Sequence, residues 1–127
     1  MYPRLFIKYV TALSWSPDSQ QIAAGGNNPE AVEVLNVTSG ETQDVYRGHG
    51  AYLWSVDWSP RSRHIASASQ DRTVQVWSAD TGKLDYTYHG HTKSVSAVAW
   101  SPDGVRIASG GEDGTVQIWT PEIDTLI

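Results

Sequence analysis

Serine, histidine and aspartate occur twice in register along this chain, as His49, Ser67 and Asp71 and again as His91, Ser109 and Asp113. Each member lies 42 residues from its counterpart. A serine hydroxyl becomes a nucleophile when a histidine within hydrogen-bond reach takes its proton and a carboxylate orients that histidine. The residue types therefore suit a hydrolase. The context does not, because the set recurs in successive units and neither copy has a nucleophile elbow or an oxyanion-binding loop beside it. A set repeated in this way reads as structural.

Other chemistry finds less support. His89 and His91 flank Gly90 and could chelate a metal, but no third ligand is identifiable nearby. Asp103-Gly104 and Asp113-Gly114 are turn signals that lack the regular ligand spacing of a calcium loop. Gly25-Gly26 and Gly110-Gly111 end strands and lead into turns, so neither reads as a phosphate-binding loop. The absence of cysteine excludes disulfide scaffolds, thiolate zinc sites and cysteine nucleophiles. No cofactor, no metal and no catalytic residue is expected.

The elements that carry these residues repeat with them. Trp58 and Trp100, and Trp77 and Trp119, are also 42 residues apart. A fixed period of this size marks a repeat architecture whose units bury their apolar faces on one another. Short apolar runs alternate with turn clusters such as Ser16-Pro17-Asp18-Ser19, Thr38-Ser39-Gly40 and Asp80-Thr81-Gly82, which predicts an all-β chain. In the second unit the strands are expected at 53–58, 64–69, 73–77 and 84–88, with Tyr86 and Tyr88 on one face of the last. The third unit repeats this over 95–119. The first unit is worn, with strands at 10–15, 21–25, 32–37 and 42–46. Trp15 precedes Trp58 by 43 residues but Val32 precedes Val74 by 42, so the extra residue falls in the turn at 27–30.

Six Trp and six Tyr stand against one Phe in 127 residues, and 39% of the chain is hydrophobic. That suits sheets with polar rims around a real core. The net charge is −5 with acids and bases interspersed, which argues against a nucleic-acid or anionic-membrane partner held by electrostatics. The amino end has too short an apolar run for a signal peptide, and nothing approaches a membrane span, so an intracellular, cytoplasmic setting is the default expectation.

A Gly-His pair, a Trp-Ser-Pro-Asp-Gly turn, an Ile-Ala-Ser strand, an Asp in a tight turn and a Thr-Val-x-Ile/Val-Trp strand together resemble the WD-repeat β-propellers. The resemblance covers roughly residues 10–119 and is most specific in the second and third units. It implies all-β, four-stranded propeller blades at about 8–47, 48–89 and 90–120, with a tail at 121–127. It also implies a hydrogen-bonded tetrad inside each complete blade: His49, Ser67, Asp71 and Trp77, then His91, Ser109, Asp113 and Trp119. The His ring would bridge carboxylate and hydroxyl, and the indole N–H would donate to the hydroxyl; Ser69 is the alternative to Ser67. In the first blade Phe6, Ala24, Asn28 and Leu35 hold these positions, so apolar packing is expected to replace the tetrad.

Propellers usually close with four to eight blades. Three are present here, and the fourth strand of the last is missing. The segment 2–8 is expected to cross to the first strand and not to complete that blade. Unclosed blades expose apolar faces and a strand edge, which favours association. Homo-oligomerisation is the leading expectation, as a dimer giving six blades or a trimer giving nine; the alternative is a fragment or subunit of a larger WD-repeat signalling or regulatory protein. The implied activity is protein or peptide binding by a non-catalytic scaffold, on the face carrying the loops before each first strand. The candidate residues there are Tyr9, Tyr52, Trp54, Gln70, Arg72, Ser94, Ser96 and Glu112. Trp54 stands where the other units have Thr11 and Ser96, as a hot spot for a partner or as filler between the first two blades.

Overall fold

The computed structural model describes residues 2–123. All regular elements among them are strands, arranged as three antiparallel sheets. The first sheet holds β1 (Tyr9–Trp15), β2 (Gln21–Asn27), β3 (Ala31–Asn36) and β4 (Thr42–Tyr46). The second holds β5 (Leu53–Trp58), β6 (His64–Ser69), β7 (Val74–Ser78) and β8 (Leu84–Tyr88), and the third β9 (Val95–Trp100), β10 (Ile107–Gly111) and β11 (Val116–Trp119). Each sheet is a meander in which strands adjacent in sequence are adjacent in space. Residues 120–123 form no strand, and the last expected strand otherwise lies outside the described residues.

Local chemistry fixes the turns. Between β1 and β2, Ser16 Oγ donates to Asp18 Oδ1 at 2.6 Å, and the same carboxylate oxygen accepts the Gln20 amide at 3.0 Å. Ser101 and Asp103 repeat this between β9 and β10, where Gly104 takes the left-handed φ of +72° that the turn requires. The second sheet lacks the aspartate, and Ser59 Oγ accepts the amides of Arg61 and Ser62 instead.

Register makes the units superimposable. Trp15 pairs with Ile22, Trp58 with Ile65 and Trp100 with Ile107. The pairs Gly25–Val32 and Ala68–Val74 place the extra residue of the first unit in the turn after β2.

The core lies between sheets and not within one. Leu53, Val56 and Trp58 of β5 meet Ala23, Val32, Val34 and Tyr46 of the first sheet. Val95, Val98 and Trp100 of β9 meet Ala66, Ala68, Val74 and Val76 of the second in the same manner. Polar bonds reinforce both junctions: the Trp58 amide donates to Ser14 Oγ at 2.9 Å, and the Trp100 amide to Asp57 Oδ2 at 2.6 Å. At the other end of the first junction, Thr11 Oγ1 and Asn27 Nδ2 both donate to the Leu53 carbonyl, and the Leu53 amide donates to Asn27 Oδ1.

Candidate functional site

The segment that crosses from the outer strand of one sheet to the inner strand of the next carries the histidine of each set. His49 Nδ1 lies 2.7 Å from Asp71 Oδ2, and its Nε2 lies 2.8 Å from Ser67 Oγ. In the third sheet His91 makes the same two contacts, at 2.9 Å to Asp113 and 2.8 Å to Ser109. Ser69 serves otherwise, donating to the Tyr52 carbonyl at 2.8 Å and accepting the Asp71 amide at 3.1 Å. Both nitrogens of His91 are thus occupied by side chains, and His89 has no chelating partner in it.

Burial works against ionisation of Asp71, but the hydrogen bonds from His49 and Thr73 outweigh it and hold the carboxyl at about 2. Thr115 and His91 hold Asp113 lower still. Ser67 has no exposed surface and His49 is 6% exposed. A hydroxyl sealed in this way is out of reach of a substrate carbonyl, and the two hydrogen bonds fasten the His49 segment to β6 and to the turn that follows it.

The two sets differ in their indoles. Trp119 Nε1 donates to Ser109 Oγ at 3.0 Å. Trp77 Nε1 is buried and has no hydrogen-bond partner among the described residues, and Ser67 Oγ faces the Gln75 carbonyl at 3.4 Å instead. What holds Trp77 is a ring: Tyr46 of β4 stacks on it across the junction, with centroids 4.8 Å apart and planes 14° from parallel. Tyr88 stacks on Trp119 at 4.1 Å and 2°.

These tyrosines belong to a second repeated network that the sequence pattern did not single out. The Tyr46 hydroxyl donates to Gln75 Oε1, and Gln75 Nε2 donates to the Gly48 carbonyl at 3.2 Å. Tyr88, Gln117 and Gly90 repeat the arrangement. A Cβ on Gly48 or Gly90 would collide with the tyrosine hydroxyl and the glutamine amide, which explains the glycine before each histidine. The 42-residue spacing of Gln75 and Gln117, and of Tyr46 and Tyr88, was the available signal.

In the first sheet the four corresponding residues do not form one cluster. Phe6 is 44% exposed and lies under the guanidinium of Arg47, 4.3 Å from its centroid. Ile7 turns inward in its place, packed on Ala24 and Ala31. Glu33, at the position of Gln75 and Gln117, is fully buried; it accepts the Ile7 amide at 2.6 Å and the Thr42 hydroxyl at 3.0 Å. Apolar packing alone, the expectation from sequence, is therefore corrected: a buried carboxyl is the central tie.

The expected recognition face lies at the end carrying these crossing segments. Tyr52 and Trp54 are 49% and 40% exposed, and their rings tilt together with centroids 5.2 Å apart. Trp54 is not among the buried residues clustered between the first two sheets. Gln70, Arg72 and Glu112 are exposed, and with Lys93 and Ser94 they line a shallow polar cavity of about 210 Å³. Ser94 itself is buried, which makes it floor and not contact surface. Tyr9 and Ser96 are exposed at the ends of their strands.

A family model described as WD domain, G-beta repeat matches residues 6–28, 40–78 and 82–120. The chain belongs to that family. The WD repeat-containing protein 1 of Xenopus tropicalis is 42% identical over 66 residues, covering 51% of this chain and 11% of that protein. Subunit 1A of the actin-related protein 2/3 complex of Arabidopsis thaliana is 32% identical over 69 residues, covering 53% of this chain and 18% of that protein. The chain thus spans only about a tenth to a fifth of these WD-repeat relatives. The second and third matched stretches each begin at the outer strand of one sheet, β4 or β8, and run on through three strands of the next. Among the described residues no helix is long and apolar enough to cross a membrane, and no group of three metal-ligating side chains comes together.

Proposed function

We propose that this chain is a non-catalytic WD-repeat interaction module that binds a protein or peptide on the rim around Tyr52 and Trp54. The observation that carries the reading is that exposed aromatic pair. Tyr and Trp offer large, stiff contact area, and interface hot spots are enriched in both, with Arg. Gln70, whose amide donates to the Tyr52 carbonyl at 2.8 Å, shares a shallow cavity with Arg72 and Glu112, which supply polar contacts of both signs. Propellers usually close with four to eight blades, and copies of the chain are one proposed source of the blades beyond these three, the other being a larger WD-repeat protein. Relatives several times longer than the aligned segment, one of them named as a subunit of a complex, support a place within a larger assembly. An intracellular setting fits a chain without cysteine.

Selection of a displayed random peptide library on the purified chain tests the reading. Enriched peptides are expected to lose at least tenfold in affinity against Trp54→Ala while the melting temperature stays within about 2 °C, as a partly exposed site allows. Peptides that bind Trp54→Ala and Tyr52→Ala as well as the parent chain would remove the rim from consideration. Ser67→Ala settles the enzyme alternative: a lowered melting temperature with no hydrolytic activity to lose is the expected result.

A further inference from the structure

We infer that the cavity between the second and third blades takes an Asp or Glu carboxylate of the bound peptide, held by Arg72 and Lys93 while an apolar side chain of the same peptide lies on Tyr52 and Trp54. This rests on the reading above that the rim binds a peptide, and it names the second group that the peptide must carry.

Both walls of the cavity are internal to the chain. One is the turn after β6, with Gln70 and Arg72. The other is the segment entering β9, with Lys93 and Ser94, joined by Glu112 from the turn after β10. Backbone bonds fix both walls: the Gln70 amide donates to the Tyr52 carbonyl at 2.8 Å, and the Glu112 amide to the Ser94 carbonyl at 3.0 Å. The first of these bonds sets the cavity beside the aromatic pair. Ser94 stands where the second repeat has Tyr52, 42 residues earlier, so a small polar side chain replaces a ring. It is 8% exposed, and among the described residues its hydroxyl has no hydrogen-bond partner. A carboxylate entering the cavity offers that hydroxyl an acceptor.

Charge and backbone strain point the same way. None of the four ion pairs among the described residues involves Arg72, Lys93 or Glu112. Two cations against one carboxylate leave the lining with a single net positive charge, the complement of one further carboxylate. Asp71 and Asp113 do not line the cavity and are bonded to His49 and His91. Arg72 also holds a left-handed backbone, with φ 75°. The third repeat has Gly114 at this position, 42 residues on, with φ +74°. Glycine takes that conformation freely, whereas a residue with a Cβ loses stability in it. Folding is therefore served by glycine here, and the arginine contributes something else; strain of this kind is characteristic of ligand-binding positions.

Amide shifts of the chain titrated with N-acetylaspartate amide test the cavity directly. Saturable shifts are expected at Arg72, Lys93, Ser94 and Glu112, and N-acetylasparagine amide at the same concentrations should produce none. Arg72→Gly should abolish them at a melting temperature equal to or above that of the parent, because it relieves the backbone. Glu112→Gln removes the opposing charge and should tighten the probe about threefold. Peptides selected on the parent chain and blocked at both ends are expected to carry Asp or Glu. Exchanging that residue for Asn or Gln should cost about tenfold in affinity on the parent and less than about twofold on the Arg72→Gly chain. No saturable shift with the aspartate probe, equal shifts with the asparagine probe, or selected peptides without an acidic residue would each overturn the inference. Tenfold tighter binding of N-acetylphosphoserine amide would replace the carboxylate by a phosphoryl group and overturn it as stated. Peptides that need Trp54 but carry no acid would keep the rim and remove the cavity. Aspartate-probe shifts on a chain whose peptides ignore Trp54→Ala would keep the cavity and remove the rim.

Discussion

The segment entering β5 is held by the ring of His49, whose nitrogens reach Ser67 and Asp71, whereas the segment entering β1 is held by the Ile7 amide on Glu33. The sheets beneath are alike in strand order and register. What the blade requires is that its incoming segment be fastened over the small residues of the second strand, Ala24 in one case and Ser67 in the other. A side-chain network reaching down from His49 meets that need, and so does a backbone donor reaching a buried carboxyl. The histidine-centred set is one solution to a packing problem, built from the residue types that elsewhere serve catalysis.

The largest expected departure between the two blades comes from the residues that share a repeat position. His49→Ala removes a buried ring and leaves Ser67 and Asp71 without their partner, for a loss of about 3 kcal/mol in urea unfolding. Phe6→Ala, at an exposed site, should cost less than about 1 kcal/mol. Equal costs would mean that Phe6 does in the first blade what His49 does in the second. Next comes Glu33→Ala, which strands the Ile7 amide and the Thr42 hydroxyl and should cost about 2 kcal/mol. Glu33→Gln keeps an acceptor and should recover part of that loss; if it does not, the carboxyl has a role beyond accepting hydrogen bonds. Grafting sharpens the contrast further: Ala24→Ser places a hydroxyl under Ile7 with no histidine to meet it and should destabilise by about 1 kcal/mol. A neutral or stabilising result would show that the serine needs no histidine partner.

The smallest effect is on pH dependence. Asp71 is held below its ordinary value of 3.8, at about 2, so its ionised form is favoured in the folded chain. That contribution is complete above the ordinary value and is lost as the pH falls from near 4 toward 2. Urea midpoints measured over this window should fall less steeply for Asp71→Asn than for the parent. Parallel curves would mean that His49 and Thr73 do not hold the carboxyl down. Asp57 acts in the opposite sense, because burial raises it despite the bond from the Trp100 amide.

The period and the turn signals made the three sheets and most strand limits legible before any coordinates. Family resemblance, added to the period, picked out the partners of His49 and His91. The rest was hidden for physical reasons. Tyr46 and Gln75 meet across a junction between repeats, 29 residues apart, and each alone reads as an ordinary strand residue. Glu33 sits between Val32 and Val34, where alternation puts a charged residue in solvent, yet it is fully buried because Ile7 and Thr42 supply donors. Counting by the period assigned Phe6 to the place that Ile7 fills, since a one-residue change in how a segment crosses shifts which side chain points inward. The unpartnered indole of Trp77, covered by Tyr46, could not be separated by sequence from the bonded one of Trp119.

The clasp on Leu53 has a consequence for how the molecule comes apart. Its amide and carbonyl are both held by side chains of the first blade, Asn27 and Thr11, and it lies 1% exposed. The first two blades then open as one cooperative unit, because β5 cannot shed the first sheet without breaking its own backbone bonds. In native-state hydrogen exchange the Leu53 amide should be lost together with those of β2, at a rate set by that shared opening and not by fraying of either sheet.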